Sequence, residues 1–283
     1  MAPKLFGLLG WPVGHSASPV MMAAAFKALQ LDAVYLPFPL APDRFEVGLN
    51  GLAALGAVGV NVTIPHKQAA WKSVSEVSQA AALAKAVNTI RFETDSNVRI
   101  GHNTDVEGWW QSVHPHLQDP ISEVVLFGSG GAARAVLAAL SIHQPQVKVY
   151  VLARNPQSAQ ALSQDFCKTI EVTPKSWDDR ERWVAQSSLV VNATSVGMWP
   201  NSHQSVLPDG TQAFHSGQVV QDAVYRPRKT RFLQQAEKMG AQTVDGLHML
   251  VGQGAAALEY WLRSPAPADV MMAAAKSFLD DEV

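Results

Sequence analysis

The sequence predicts an α/β protein of two domains. Three observations carry that prediction: strand-like and helix-like segments alternate along most of the chain, a polar, proline-bearing stretch interrupts them near residue 114, and the rhythm then restarts. A length of 283 residues suits two ordinary domains. With 47% hydrophobic and 16% charged residues, the chain has ample apolar material for packed cores and no composition that would favour disorder.

Taken in order, KLFGLLG (residues 4–10) reads as the first strand. A helix is expected from Ser18, which can cap it, through Pro19, which suits a first turn, to about Gln30. VYLPFPL reads as a second strand, followed by a helix after Pro42. GVNVTI (59–64) is a further strand stopped by Pro65, and an Ala-rich stretch from Glu76 to Ala86 reads as a helix leading into the strand-like VNTIRFE. This alternation favours a mainly parallel sheet with binding groups at its strand ends.

The break is HPHLQDPIS (114–122). Beyond it come the strand EVVLF, a helix through Ala132 to Leu140, and the strands VKVYVLA, SLVVNAT, QVVQDAVY and AQTVDG, a Rossmann-like organisation. Two helices follow Asp245, LHMLVGQGAAALEYWLR and ADVMMAAAKSFL, with no strand after them; they are expected to pack back on the first domain. The predicted domains are therefore 1–106 with 246–283, and 107–245.

Charge and cysteine usage narrow the partners. The 22 Lys+Arg against 24 Asp+Glu leave a formal net charge of −2, which supplies no field for a polyanion, so nucleic acid is not expected. Cys167 is the single cysteine and cannot close a disulfide within the chain; Gly and Pro interrupt the opening MAPKLFGLLGWPVGHS before a signal-peptide core forms. No apolar run reaches the 18 or so residues of a membrane span. A cytoplasmic location without membrane partners is the expectation, and a homodimer is compatible with it. His114 and His116 lack neighbouring carboxylates or thiolates, so no metal is expected.

After EVVLF, the residues Gly128-Ser129-Gly130-Gly131-Ala132-Ala133 fit G-x-G-x-x-A between a strand and a helix. Gly128 would allow the tight turn, Gly130 close approach of a pyrophosphate, and Ala133 close helix–strand packing, with the helix N-terminus meeting the phosphates. The next strand ends in Leu152-Ala153-Arg154-Asn155-Pro156, with no acid for a ribose 2′-hydroxyl and with Arg154 where a 2′-phosphate would sit. That favours NADP over NAD. Hydride transfer to a ketone without zinc also needs a side-chain proton donor. Lys67, directly after NVTIPH, and Asp105, in HNTD before a helix, form the candidate catalytic pair, although spacing by itself also allows two ordinary surface charges.

HSASP, NVTIPHK, AVNT, NTD, GSGGAAR, NATSVGM, DAVY and GLHMLVGQ occur along nearly the whole chain in the order seen in shikimate dehydrogenases, and the sequence resembles that family. The resemblance implies an N-terminal α/β substrate-binding domain, a Rossmann-like NADP domain, and reversible reduction of 3-dehydroshikimate to shikimate with NADPH. It implies that Ser16 and Ser18 bind the substrate carboxylate with Tyr225 nearby. Thr63, Asn88, Asp105 and Gln253 would hydrogen-bond ring hydroxyls, and Lys67 with Asp105 would be catalytic. Thr194, Ser195, Met198 and Gly246 would lie beside the nicotinamide. The chain departs from the family after Arg154, where Asn155 and Ser158 replace a hydroxyl residue and a second Arg. His102 and His248 are less usual occupants that could tune specificity. The rival readings are a quinate or quinate/shikimate dehydrogenase using NAD, and a ligand-sensing homologue without turnover.

Overall fold

The computed structural model describes residues 2–93, 98–118 and 120–280. The chain divides into two compact units, Met1–Gly108 with Leu250–Val283, and Trp109–Met249.

The first unit opens with β1 (Lys4–Gly10), α1 (Ser18–Ala28), β2 (Ala33–Pro39), α2 (Phe45–Ala54), β3 (Gly59–Val62) and α3 (Lys67–Ser73). It continues with β4 (Glu76–Val77), α4 (Gln79–Ala84), β5 (Thr89–Phe92), β6 (Arg99–His102) and the start of α5 (Thr104–Val113). Its six strands are ordered β2-β1-β3-β5-β6-β4. Strand β1 is parallel to β2 and β3, whereas β5 is antiparallel to both β3 and β6. Chain length accounts for the β5–β6 pairing: residues 93–98 are too few for a crossover, so these two strands must pair antiparallel.

The Ala-rich stretch also differs from expectation. Glu76–Val77 pair with β6, and the helix is confined to 79–84 because Ser78 caps it, its Oγ accepting from Ala81 N at 3.2 Å. At the far end Lys85 takes a left-handed conformation and stops it.

The second unit holds β7 (Glu123–Phe127), α6 (Gly131–His143), β8 (Lys148–Leu152), α7 (Pro156–Phe166), β9 (Glu171–Lys175), α8 (Arg180–Gln186) and β10 (Leu189–Asn192). Next come β11 (Val219–Asp222), α9 (Arg231–Lys238), β12 (Gln242–Val244) and the first residues of α10 (Leu247–Leu262). The order β12-β11-β10-β7-β8-β9 is parallel throughout. It is the doubly wound arrangement of dinucleotide-binding folds, with the strand order reversing between β7 and β10. β7 and β10 are almost wholly buried, as strands covered on both faces must be. Trp109 donates to Gln221 Oε1 at 3.2 Å, and Trp110 stacks on His143 with ring centroids 4.5 Å apart.

α10 and α11 (Ala268–Asp280) return the chain to the first unit from Leu250 onward. Trp261 packs on Phe6 and donates Nε1–H to the Ile90 carbonyl at 3.0 Å, while α11 lies against α1 through buried Met21 and Met271. No described helix is long and apolar enough to cross a membrane.

Candidate active site

In the first unit, polar residues gather where the strands end. Lys67 opens α3 and Asp105 lies in the first turn of α5, so each follows a strand end directly. Lys67 Nζ lies 2.5 Å from Asp105 Oδ2, with the two side chains only 14% and 6% exposed. Ion pairs this sheltered are little screened by solvent. The backbone around each is fixed: Val87 N donates to the Lys67 carbonyl, and Asp105 N donates to Asn103 Oδ1. The preceding His66 is buried, stacks on Phe45, and bonds the Leu40 carbonyl at 2.7 Å, which pins the start of α3.

Thr63 continues β3, its amide donating to the Leu9 carbonyl and its own carbonyl accepting from His66 N. Asn88 precedes β5 and is buried in a network with Thr89 and Thr104. Gln253 reaches the same unit on α10. A Cβ on Gly108 would stand 2.7 Å from Gln253 N, so α5 and α10 cross closely there, one turn beyond Asp105. Ser16 and Ser18 sit at the start of α1, but their division of labour differs from expectation. The N-cap is Ala17, and Ser16 Oγ accepts the Ser18 amide at 3.2 Å, leaving the Ser18 hydroxyl without a protein hydrogen bond among the described residues.

His102 and His248 lie elsewhere. His102 contacts Ser78 Oγ at 2.5 Å and the Tyr260 ring, and burial lowers its pKa. His248 is exposed, 3.7 Å from Asp245.

In the second unit the glycine loop sits at the point where strand order reverses. Gly128 has φ +107°, and a Cβ there would meet the Ala193 carbonyl and Thr194 Cγ2 at 3.0 Å, so this turn needs glycine. Beside Gly130, by contrast, a Cβ would meet nothing within 4 Å; the α6 N-terminus opens there without a side-chain cap. Ser129, Gly131, Ala132 and Ala133 complete the turn into α6, with Ala133 buried. Open space before uncapped first-turn N–H groups fits a pyrophosphate.

Arg154 follows β8, is exposed, and lines a cavity of about 340 Å³ with Trp177, Val196, His203 and Arg231. It makes no hydrogen bond or ion pair to the other described residues. Its neighbours are engaged. Asn155 caps α7, accepting from Gln157 N and Ser158 N, while Ser158 Oγ donates to the Asn155 carbonyl and contacts Ser129 Oγ at 2.8 Å. Free guanidinium donors beside a cavity fit the 2′-phosphate that distinguishes NADP.

Two loops at the strand ends carry the remaining candidates. Thr194 donates from its amide and its hydroxyl to Asn192 Oδ1, and Ser195 and Met198 follow in the same loop, Met198 exposed. Tyr225 lies after β11 in the second unit, where Trp199 N donates to the Arg226 carbonyl and so joins the two loops. Gly246 packs so tightly that a Cβ would come 2.6 Å from the Ala223 carbonyl.

Sequence reasoning gave Asp222 no role, yet this buried carboxylate organises both loops. It accepts from Asn192 Nδ2 (3.0 Å), Val224 N (2.9 Å) and Thr230 Oγ1 (2.7 Å). Burial pushes its pKa up to about 7 despite those three donors. The motif DAVY contained the signal, but its partners lie 30 residues before and 8 residues after it.

A family model described as the shikimate dehydrogenase substrate binding domain matches residues 8–90, and one described as the shikimate 5'-dehydrogenase C-terminal domain matches residues 246–276. The shikimate dehydrogenase (NADP(+)) of Trichormus variabilis is 40% identical over 285 residues, covering 98% of this chain and 97% of that protein. Among solved structures, shikimate 5-dehydrogenase from Thermus thermophilus in complex with NADP(H) and shikimate superposes with a TM-score of 0.85 at 33% identity, covering 98% of this chain and 100% of that one. Quinate dehydrogenase from Corynebacterium glutamicum in complex with NAD gives 0.88 at 28% identity, with 98% and 100% covered. The chain belongs to the shikimate dehydrogenase family.

Proposed function

We propose that the chain catalyses the reversible, NADP-dependent reduction of 3-dehydroshikimate to shikimate, a step of aromatic amino acid biosynthesis. The observation that carries this reading is the sheltered Lys67–Asp105 pair, 2.5 Å apart among polar side chains suited to a polyol. NADP, when bound, supplies or accepts the hydride. Lys67 stabilises charge on the substrate oxygen and holds the proton that this oxygen gains or loses, while Asp105 keeps the ammonium in place and accepts from a ring hydroxyl. Ser16 and Ser18 bind the substrate carboxylate, assisted by Tyr225. Thr63, Asn88 and Gln253 pair the ring hydroxyls, so an analogue lacking one leaves a polar group unpaired.

For the cofactor, residues 128–133 hold the pyrophosphate, Arg154 the 2′-phosphate, and Thr194, Ser195, Met198 and Gly246 shape the nicotinamide site. We take residues 1–106 with 246–283 as the substrate domain and 107–245 as the cofactor domain. The enzyme is placed in the cytoplasm, with a homodimer as the assembly to test by light scattering.

Initial rates of shikimate and quinate oxidation, each with NADP and with NAD, test this reading. Turnover confined to shikimate with NADP supports it. Preference for quinate or NAD would move the assignment to the quinate branch, and absence of turnover with every pair would overturn it.

A further inference from the structure

A chain of buried polar groups crosses the first unit from Tyr35 on β2, through Asn61 on β3, to Asn88 and Thr89 at the start of β5. All four residues are at most 6% exposed. Their donors and acceptors can be followed one by one. Tyr35 Oη donates to Asn61 Oδ1 at 2.8 Å. Asn61 Nδ2 donates to the Asn88 carbonyl at 3.3 Å and to Thr89 Oγ1 at 3.0 Å. Flipping the Asn61 amide would set its oxygen against a carbonyl that can only accept, so its orientation is fixed at both ends. Thr89 Oγ1 accepts from Asn61 and donates its single proton to Asn88 Oδ1 at 2.9 Å, while Thr104 Oγ1 lies 3.2 Å from both Thr89 Oγ1 and Asn88 Oδ1. Thr104 N donates to the same oxygen at 2.8 Å. Asn88 therefore has its carbonyl oxygen consumed by protein donors. Its Nδ2 makes one bond, to Thr104 Oγ1 at 3.0 Å, which leaves a second N–H without a protein partner among the described residues.

We infer that Tyr35 and Asn61 are positioning residues that, together with the Thr104 amide, hold the hydrogen-bond polarity of Asn88, so that Asn88 meets a substrate hydroxyl as a donor to its oxygen and not as an acceptor of its proton. The inference rests on the proposed contact between Asn88 and substrate. Tyr35 suits the role because burial drives its hydroxyl pKa above the ordinary tyrosine range, so the group that starts the relay stays a donor at every working pH. The relay also ties β3, which leads into Thr63, to β5, so two substrate contacts share one anchor.

The test uses the full-length enzyme with Tyr35→Phe, Thr89→Val and Thr89→Ser, measuring kcat, both KM values, equilibrium binding of shikimate and the unfolding midpoint. Loss of one hydrogen bond from a buried network is expected to raise KM and Kd for shikimate roughly tenfold in the Phe and Val variants, with KM for NADP unchanged. Thr89→Ser keeps the relay hydroxyl and should restore shikimate affinity. A lowered unfolding midpoint with unchanged shikimate KM and Kd in both the Phe and the Val variant would show a packing role only and overturn the inference. That outcome is distinct from failure of the proposed function, which would appear as a wild-type enzyme that does not turn over shikimate.

Discussion

A carboxylate 6% exposed beside an ammonium 14% exposed constrains both partners, because removing either strands the other charge in a poorly solvated place. Lys67→Ala is expected to lower kcat by roughly 10²–10⁴-fold, the range for a positioned acid–base group. NADP affinity should survive, since the glycine loop belongs to the other unit. Initial rates together with a cofactor titration check both halves. Arg154 has no hydrogen bond or ion pair to other described residues, so Arg154→Ala should weaken NADP binding about 10- to 100-fold, the worth of charge-assisted hydrogen bonds, and leave NAD nearly unaffected. Calorimetric titration with each dinucleotide separates the two. Asp222 has a raised native pKa, so the folded state holds its proton to higher pH than the unfolded chain does. Its contribution to stability is therefore most favourable below its ordinary value of 3.8 and declines as pH rises through about 7. Denaturant unfolding should show wild type losing stability relative to Asp222→Asn across that window; parallel curves would remove Asp222 as the cause. At this scale the motifs offered Lys67 and Asp105 as a candidate pair although they are 38 residues apart, whereas no motif joined Tyr35 to Asn61, 26 residues apart, and nothing local does.

Among the elements, those with strong local rules were legible: β1 from its apolar run, the turn into α6 from its glycines, α1 from Pro19 in its first turn. Elements set by competition between neighbours were not. The Ala-rich stretch has helical propensity along its length, yet Glu76–Val77 gain more by pairing with β6, and Ser78 places the cap two residues later. Likewise the strand-like VNTIRFE has no feature that states its direction; the short link fixes only that it runs antiparallel to β6. Glycine at a helix crossing is another non-local demand. Gly108→Ala would set a methyl carbon 2.7 Å from Gln253 N and push α5 from α10. A destabilisation of about 1–3 kcal/mol is expected, with a raised KM for shikimate through displaced Asn103–Asp105 and Gln253. Thermal unfolding and steady-state kinetics on the same variant test it; an unchanged midpoint would mean that the helices accommodate the methyl group.

For the whole molecule, the alternation of strands and helices foretold two α/β layers, and the parallel order of the second sheet followed from its βα rhythm. The first sheet's mixed order did not follow, because topology there depends on connections whose length, not composition, matters. A cofactor that binds only the folded second unit should stabilise it by mass action, by about 2.7 kcal/mol at one hundred times its Kd. A larger rise in unfolding midpoint with NADP than with NAD at equal concentration is the expected outcome.

The return of residues 250–283 to the first unit has a consequence for synthesis. Residues 109–249 are contiguous and can close their core as soon as they emerge, whereas the first unit must wait for α10 and α11, which are made after them. Until Trp261 arrives, the surface it covers on Phe6 stays open to water, and the Ile90 carbonyl lacks the indole donor. The nascent chain thus carries all six strands of the first sheet before the helices that seal it exist, and the unit begun first is the one finished second.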